Sequence, residues 1–404
     1  YADLDASSKQ NLYCLKCHTV GFDSKVAFGE TSIKPENKGP DVNGFDDYFG
    51  VETGTAAARR ALLLGVQCES CHGPGSKHVN KGGDAAYILS FSRLSSGQGS
   101  AICLSCHDGT VALGALLTRP QEVPFAGGIR FIPDGRAKLG TDLSDDHPVS
   151  FVYDSALAAS NFELADPSAL PPQVRLDKNK ELQCTACHDP HKDTFGKFLV
   201  MSNQYSGLCT TCHDKDGWPQ TSHSTSGKQW SGVGTNPWFN SPYPTVAENG
   251  CGNCHVNHSA GGHERLMNYA IEEDNCLVCH NGNVATNNIA SEMTKPFGHF
   301  VQNYAGVHNP TENFVLGGVQ KHVECSDCHN PHQSNPRPTS GAPLVSGATQ
   351  GVSGIDASGQ AIKYAQNQYE ICFKCHGNNN FISSLAISAV SGFISAYTDV
   401  SISR

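Results

Sequence analysis

No apolar run along the chain approaches the ~20 residues that a membrane-spanning helix requires. The most obvious one, Ala61-Leu62-Leu63-Leu64-Gly65-Val66, is far too short, so the chain is predicted not to cross a membrane. Glycine (41) and proline (21) interrupt the pattern throughout. The predicted fold class is mostly irregular and loop-rich, with short α-helices and little β. Near the end of the chain, Phe381-Ile382-Ser383-Ser384, Phe393-Ile394-Ser395-Ala396-Tyr397 and Val400-Ser401-Ile402 are rich in β-branched, aromatic and small residues with almost no charge. This stretch reads as a strand-prone segment held by pairing or packing, with a neighbouring subunit as one partner. The plainer reading is a frayed terminus or an edge strand on its own subunit.

Length alone, 404 residues, suggests two or three ordinary domains. Aromatic content is only 8%, so something besides side chains must fill the interior. The formal net charge of −10 argues against nucleic acid, which calls for a basic face, and favours basic or cationic partners. The sequence opens at Tyr1 without a basic or apolar leader, and its first cysteine is Cys14. The expectation is a secreted chain whose signal peptide has been removed, without a lipidated N-terminal cysteine.

All 18 cysteines fall into one pattern, Cys-x-x-Cys-His, which occurs nine times. The copies are Cys14/Cys17/His18, Cys68/Cys71/His72, Cys103/Cys106/His107, Cys184/Cys187/His188 and Cys209/Cys212/His213, then Cys251/Cys254/His255, Cys276/Cys279/His280, Cys325/Cys328/His329 and Cys372/Cys375/His376. Two thiols three positions apart can both form thioethers to the vinyl groups of one haem within a tight turn. The following histidine is then carried beneath the iron as its proximal ligand. Zinc sites gather four ligands in pairs and have no reason to place histidine after every second cysteine. A disulfide framework gives varied spacings, and a thioredoxin-like motif occurs once, in a strand-helix context missing here. The expected cofactors are nine covalent haems c. Attachment of haem to thiols takes place outside the cytoplasmic membrane, so the expected location is periplasmic or extracellular. Nine haems over 404 residues leave about 45 residues to each, so the macrocycles must form much of the core.

Ten of the 19 histidines lie outside the motifs, against nine irons that need a sixth ligand, and there are only three methionines. Bis-histidine ligation is expected, with lower potentials than Met/His ligation. The predicted distal ligands are His78, His147, His191, His223, His258, His299, His308, His322 and His332; His263 is left as the spare. Internal repetition supports part of this set. Cys184 to Cys209 and Cys251 to Cys276 are both 25 residues, and His191, His258 and His332 each lie seven residues past the first cysteine of a motif. In the direct alignment Leu199 pairs with Leu266, and His263 falls on Gly196. Each of the three offset histidines follows its own proximal histidine by three residues, a short tether that favours ligation of a neighbouring haem. The third copy, from Cys325, carries an insertion before Cys372. Met201 and Met267 read as core filler.

These repeats divide the chain into a three-haem region (1–108), a haem-poor lobe (109–183), doubled units at 184–250 and 251–324, a third doubled unit with an insertion (325–376) and the tail (377–404). The segments CTACHDPH, CSDCHNPH, CHVNHSAGGHERL, CLSCHDGTVA and DHPVSF resemble those of bacterial multihaem cytochromes built from doubled Cys-x-x-Cys-His repeats. The resemblance covers most of the chain from about Cys68 to His376. It implies bis-histidine haems and periplasmic or extracellular electron transfer, and some similar cytochromes polymerise into haem-lined filaments. The expected function is therefore electron conduction with no catalysis, toward other cytochromes or extracellular acceptors. A homopolymeric filament built by a heterologous, non-closing contact is the expected assembly. A multihaem redox enzyme, which needs a haem with an open position, and a monomeric periplasmic shuttle are the alternatives.

Overall fold

A computed structural model of the chain describes residues 71–73, 76–94, 97–112, 130–299, 301, 323–338, 341–374 and 376. Cys14, Cys17, His18, Cys68, Cys375, His308, His322 and the tail 377–404 lie outside the described residues. The fold is loop-rich, as expected from the glycine and proline load. Its helices are α1 (Ser76–Asn80), α2 (Gln98–His107), α3 (Ser155–Ser160), α4 (Cys184–Cys187), α5 (Ser222–Thr225), α6 (Val246–Asn249), α7 (Glu272–His280), α8 (Ile289–Glu292), α9 (Cys325–Cys328) and α10 (Gln368–Cys372). Among the described residues the longest is ten residues. Short 3-10 turns lie between them, and the described residues also form two antiparallel two-stranded ribbons, β1 (Phe151–Val152) with β2 (Glu181–Leu182), and β3 (Gly354–Ile355) with β4 (Ala361–Ile362). Phe151 lies opposite Leu182, and Gly354 opposite Ile362.

Helices this short cannot persist on propensity alone, and the sequence supplies local substitutes. Asp154 caps α3 by accepting from the amides of Ala156 and Leu157. Glu370, inside α10, reaches back to accept from the amides of Gln366 (2.7 Å) and Asn367 (2.9 Å). No described helix is long and apolar enough to cross a membrane.

The chain divides into two compact units. The first comprises residues up to 161 together with 166–202, and the second comprises 162–165 together with 203 onward. In the first unit, Ser100 of α2 donates to Gln183 (2.6 Å), which also accepts from Ser150 (2.9 Å). In the second unit the buried apolar residues form small clusters rather than one core. Trp238, Val246 and Val284 pack with Trp230 and Cys279, and Val352, Ala365 and Ile371 pack with Cys328, Val345 and Ile362. Each cluster incorporates the second cysteine of a motif, so the apolar packing is organised around the motifs.

Candidate haem-binding sites

Five of the described motifs each form one helical turn. The histidine amide donates to the carbonyl of the first cysteine at His188, His213, His255, His329 and His376, at 2.9–3.0 Å. This i to i−4 bond is what a Cys-x-x-Cys-His spacing produces when the segment adopts a single α-type turn. It places the two thiols one turn apart and turns the histidine off the end. Among the described residues the motif cysteines form no disulfides.

Two second cysteines have a hydroxyl neighbour. The half-buried Cys106 and Cys212 each touch the hydroxyl of the preceding residue. Ser105 Oγ donates to Cys106 Sγ at 4.0 Å, and Thr211 Oγ1 lies 3.7 Å from Cys212 Sγ. The cause is local. Both hydroxyls donate back to a carbonyl three residues earlier, Ser105 to Ile102 O and Thr211 to Leu208 O, each at 2.7 Å. That bond lays the hydroxyl alongside the next sulfur. Sulfur is a weak acceptor whether thiol or thioether, so the contact is compatible with either state of Cys106 and Cys212.

A second feature is set by the loops. Straps that follow the motifs return a backbone carbonyl to the proximal imidazole. His72 Nδ1 donates to Leu89 O (2.7 Å), His107 to Ala137 O (2.6 Å) and His188 to Lys197 O (2.9 Å). His255 donates to Arg265 O (2.8 Å) and His329 to Ala348 O (2.9 Å). Three predicted distal histidines are held the same way: His78 to Asp84 O (3.0 Å), His147 to Pro148 O (3.0 Å) and His223 to Pro331 O (3.1 Å). His191 Nδ1 lies 3.2 Å from Asp189 Oδ1. A carbonyl oxygen can only accept, so Nδ1 carries the proton in those eight rings and Nε2 keeps its lone pair for a metal.

Four pairs of imidazoles face one another. Ring centroids are 5.9 Å apart for His72 and His191, 6.2 Å for His223 and His280, 6.1 Å for His255 and His332, and 5.9 Å for His299 and His376. The interplanar angles range from 10° to 70°. The separation is nearly the same in the four pairs while the tilt varies widely. Two imidazoles bound through Nε2 to opposite sides of one metal, at ~2 Å each, place their centroids roughly 6 Å apart. Each pair joins a motif histidine to a predicted distal one. At His255–His332 and His280–His223, where both motif thiols are described, the residues fit haem c: two thiols that would take the vinyl groups and two imidazoles that would hold the iron.

The thiols of successive motifs also meet. Cys103 and Cys184, Cys209 and Cys251, and Cys276 and Cys325 are close enough to perturb each other's ionisation. The contact with its neighbour, followed by burial, pushes the Cys103 and Cys325 thiols up. The contact with Cys209, aided by Ser206, lowers Cys251 to about 6. Burial pushes Cys254 up to about 12 and Cys279 to about 11. A polar knot fixes the first two of these junctions. Ser100 Oγ accepts from the Cys184 amide (3.3 Å), and the fully buried Ser206 accepts from the Cys251 amide (2.6 Å). Each of these serines lies three residues before a motif's first cysteine, a signal present in the sequence and overlooked there. At the third junction Glu272 accepts from the amide and hydroxyl of Ser326 (2.9 and 3.0 Å). These contacts join motifs from consecutive repeats, across the divisions drawn from spacing.

The repeat register also changes. Bridges pair His188 with Leu199 and His255 with Met267, and the carbonyl acceptors are Lys197 and Arg265. Leu199 is thus equivalent to Met267 rather than Leu266; the second copy has gained one residue before its strap. In the third copy the acceptor is Ala348, so much of its insertion enters between motif and strap.

Residues 244–399 match the family model described as outer membrane cytochrome MtrC/MtrF-like, domains II/IV, and residues 178–217 match the doubled CXXCH motif model. Multiheme cytochrome MtrA of Shewanella baltica (strain OS185) is 25% identical over 178 residues, which are 41% of this chain and 48% of that protein. The chain is a multihaem c-type cytochrome. It spans about half the length of this curated relative.

In the cytochrome, burial favours neutral imidazoles. It lowers His332 to about 4 and also depresses His255 and His280. Neutral imidazole is the form that ligates a metal. Trp218 sets its ring edge against His332, centroids 6.2 Å apart.

Proposed function

We propose that the cytochrome carries electrons along a row of haems c, one at each of its nine motifs, each iron held between two histidines. The observation that carries this reading is the four imidazole pairs at 5.9–6.2 Å. When bound, haem iron supplies a one-electron couple whose potential bis-histidine ligation lowers relative to Met/His. The chain's own part is to hold and orient. The one-turn motifs would fix the thiols, the strap carbonyls fix the tautomer of His72, His107, His188, His255 and His329, and a second histidine would close the sixth position. A saturated iron offers no site for substrate, so electron transfer without catalysis is the activity that this ligand set favours. Similarity to MtrC/MtrF-like and MtrA cytochromes supports a place outside the cytoplasmic membrane and exchange with other cytochromes or external acceptors.

Pairings beyond those four, including the partners of His78, His147 and His258, rest on the sequence count. Polymerisation into a filament rests on the pattern of residues 377–404, on motifs near both ends of the given sequence and on the resemblance to filament-forming multihaem cytochromes.

The test is made on the mature holoprotein. Denaturing mass spectrometry should give nine haems per chain. Optical titration should show low-spin spectra in both oxidation states, with no carbon monoxide binding after reduction. A haem that binds carbon monoxide in the parent protein would overturn full bis-histidine ligation and favour an enzyme. Electron microscopy of the same native preparation addresses assembly: regular filaments support the homopolymer, and uniform single particles remove it.

A further inference from the structure

Thr221 is fully buried and caps α5, a helix of a single turn. Its hydroxyl lies 2.6 Å from Ser334 O and 3.1 Å from Pro331 O, and the adjoining amide of Ser222 donates to Ser334 O at 3.0 Å. The next residue on α5 is His223, whose Nδ1 donates to the same Pro331 carbonyl at 3.1 Å. Pro331 is bonded directly to His332. The segment 331–334 therefore carries His332 toward His255 while anchoring the helix that carries His223 toward His280. A close approach on the neighbouring turn reinforces the junction: a Cβ added at Gly217 would sit 2.9 Å from Gln333 Cγ. Ser224 Oγ donates to Trp218 O at 2.5 Å, and the Trp218 ring flanks His332.

We propose that Thr221 is a positioning residue that holds the distal ligands of two different haems, His223 opposite His280 and His332 opposite His255, through one hydroxyl. The proposal rests on reading these two pairs as axial ligands. A one-turn helix has too few residues to orient His223 by packing of its own, so the orientation comes from the clamp. Pro331 O receives both the Thr221 hydroxyl and the His223 ring, so a change at Thr221 reaches the two ligand sets together.

The test uses the holoprotein and counts haems opened at the sixth position, by carbon monoxide titration of the reduced form and by the high-spin ferric signal. His223→Ala and His332→Ala are each expected to open one haem. Thr221→Val, which removes the hydroxyl at equal volume, is expected to open two, and Thr221→Ser to open none. If Thr221→Val does not mature, Thr221→Ala, which adds no bulk, must open the same two. A Thr221 variant with no open haem, or with only one, overturns the clamp. If neither histidine variant opens a haem, the axial-ligand reading falls, a result distinct from failure of the clamp alone.

Discussion

At the scale of single residues, the decisive property is which nitrogen of each imidazole carries the proton. Backbone carbonyls accept from Nδ1 in eight rings, from His72 to His329, so in the neutral imidazole Nε2 is the unprotonated nitrogen, the one suited to a metal. The facing pairs also cross between motifs. His191 lies opposite His72, although in sequence it sits three residues from His188. If this pair shares one iron, His191→Ala opens a single haem, seen as one equivalent of carbon monoxide bound after reduction. In a chain that also carries Cys68→Ala and Cys71→Ala, motif two holds no haem, and His191→Ala should then open none. An open haem persisting in the combined variant would assign His191 to another iron. The presence of histidine seven residues past Cys184 was legible in the sequence. Its partner was not, because the partner is chosen by a strap more than a hundred residues away along the chain.

At the scale of elements, junctions between motif turns depend on buried polar groups. Ser206 accepts from the Cys251 amide at 2.6 Å and is completely buried. Ser206→Ala leaves that amide without its acceptor, a loss of about 1–3 kcal/mol, read as a lower denaturation midpoint of the holoprotein; an unchanged midpoint would remove the junction's role. Gly250 adjoins this serine with a φ of 51°, and any Cβ there would collide with Ser206 Oγ, so Gly250→Ala should lower the midpoint further. The junction of α7 and α9 behaves differently. Glu324 is buried, with Glu272, Glu273 and Asp327 around it, and burial followed by these neighbours raises its carboxyl to about 9. A carboxyl raised on folding is protonated in the folded state at pH values where the unfolded chain is ionised. It therefore costs stability progressively from the ordinary Glu pKa of about 4.3 up to about 9. Glu324→Gln should raise the thermal midpoint at pH 8 and change it little at pH 4. Equal effects at both pH values would contradict the shift.

At the scale of the whole molecule, the described residues of the second unit include small apolar clusters that take in motif cysteines, Cys279 in one and Cys328 in another. The low aromatic content and the short apolar runs are in keeping with this. The division into compact units falls at residue 202, between the fourth and fifth motifs, whereas spacing alone groups those two motifs as one doubled repeat. Spacing reports duplication along the chain. Compactness reports which segments touch, and the thiol pairs Cys209–Cys251 and Cys276–Cys325 link motifs from consecutive repeats. The shifted register of the second strap has the same origin: one residue inserted before Arg265 is invisible to cysteine spacing but moves the bridge from Leu266 to Met267.

The sequence by itself determined the chemistry: nine five-residue Cys-x-x-Cys-His motifs, each local in the chain, five of which close a single turn in the described residues. It also determined the loop-rich class, because glycine, proline and the lack of sustained periodicity act locally. Only the tertiary structure decided which imidazoles face each other, which straps orient them and which thiols meet. Those depend on contacts between residues distant in the chain, where a one-residue insertion or a buried serine changes the outcome without altering any motif.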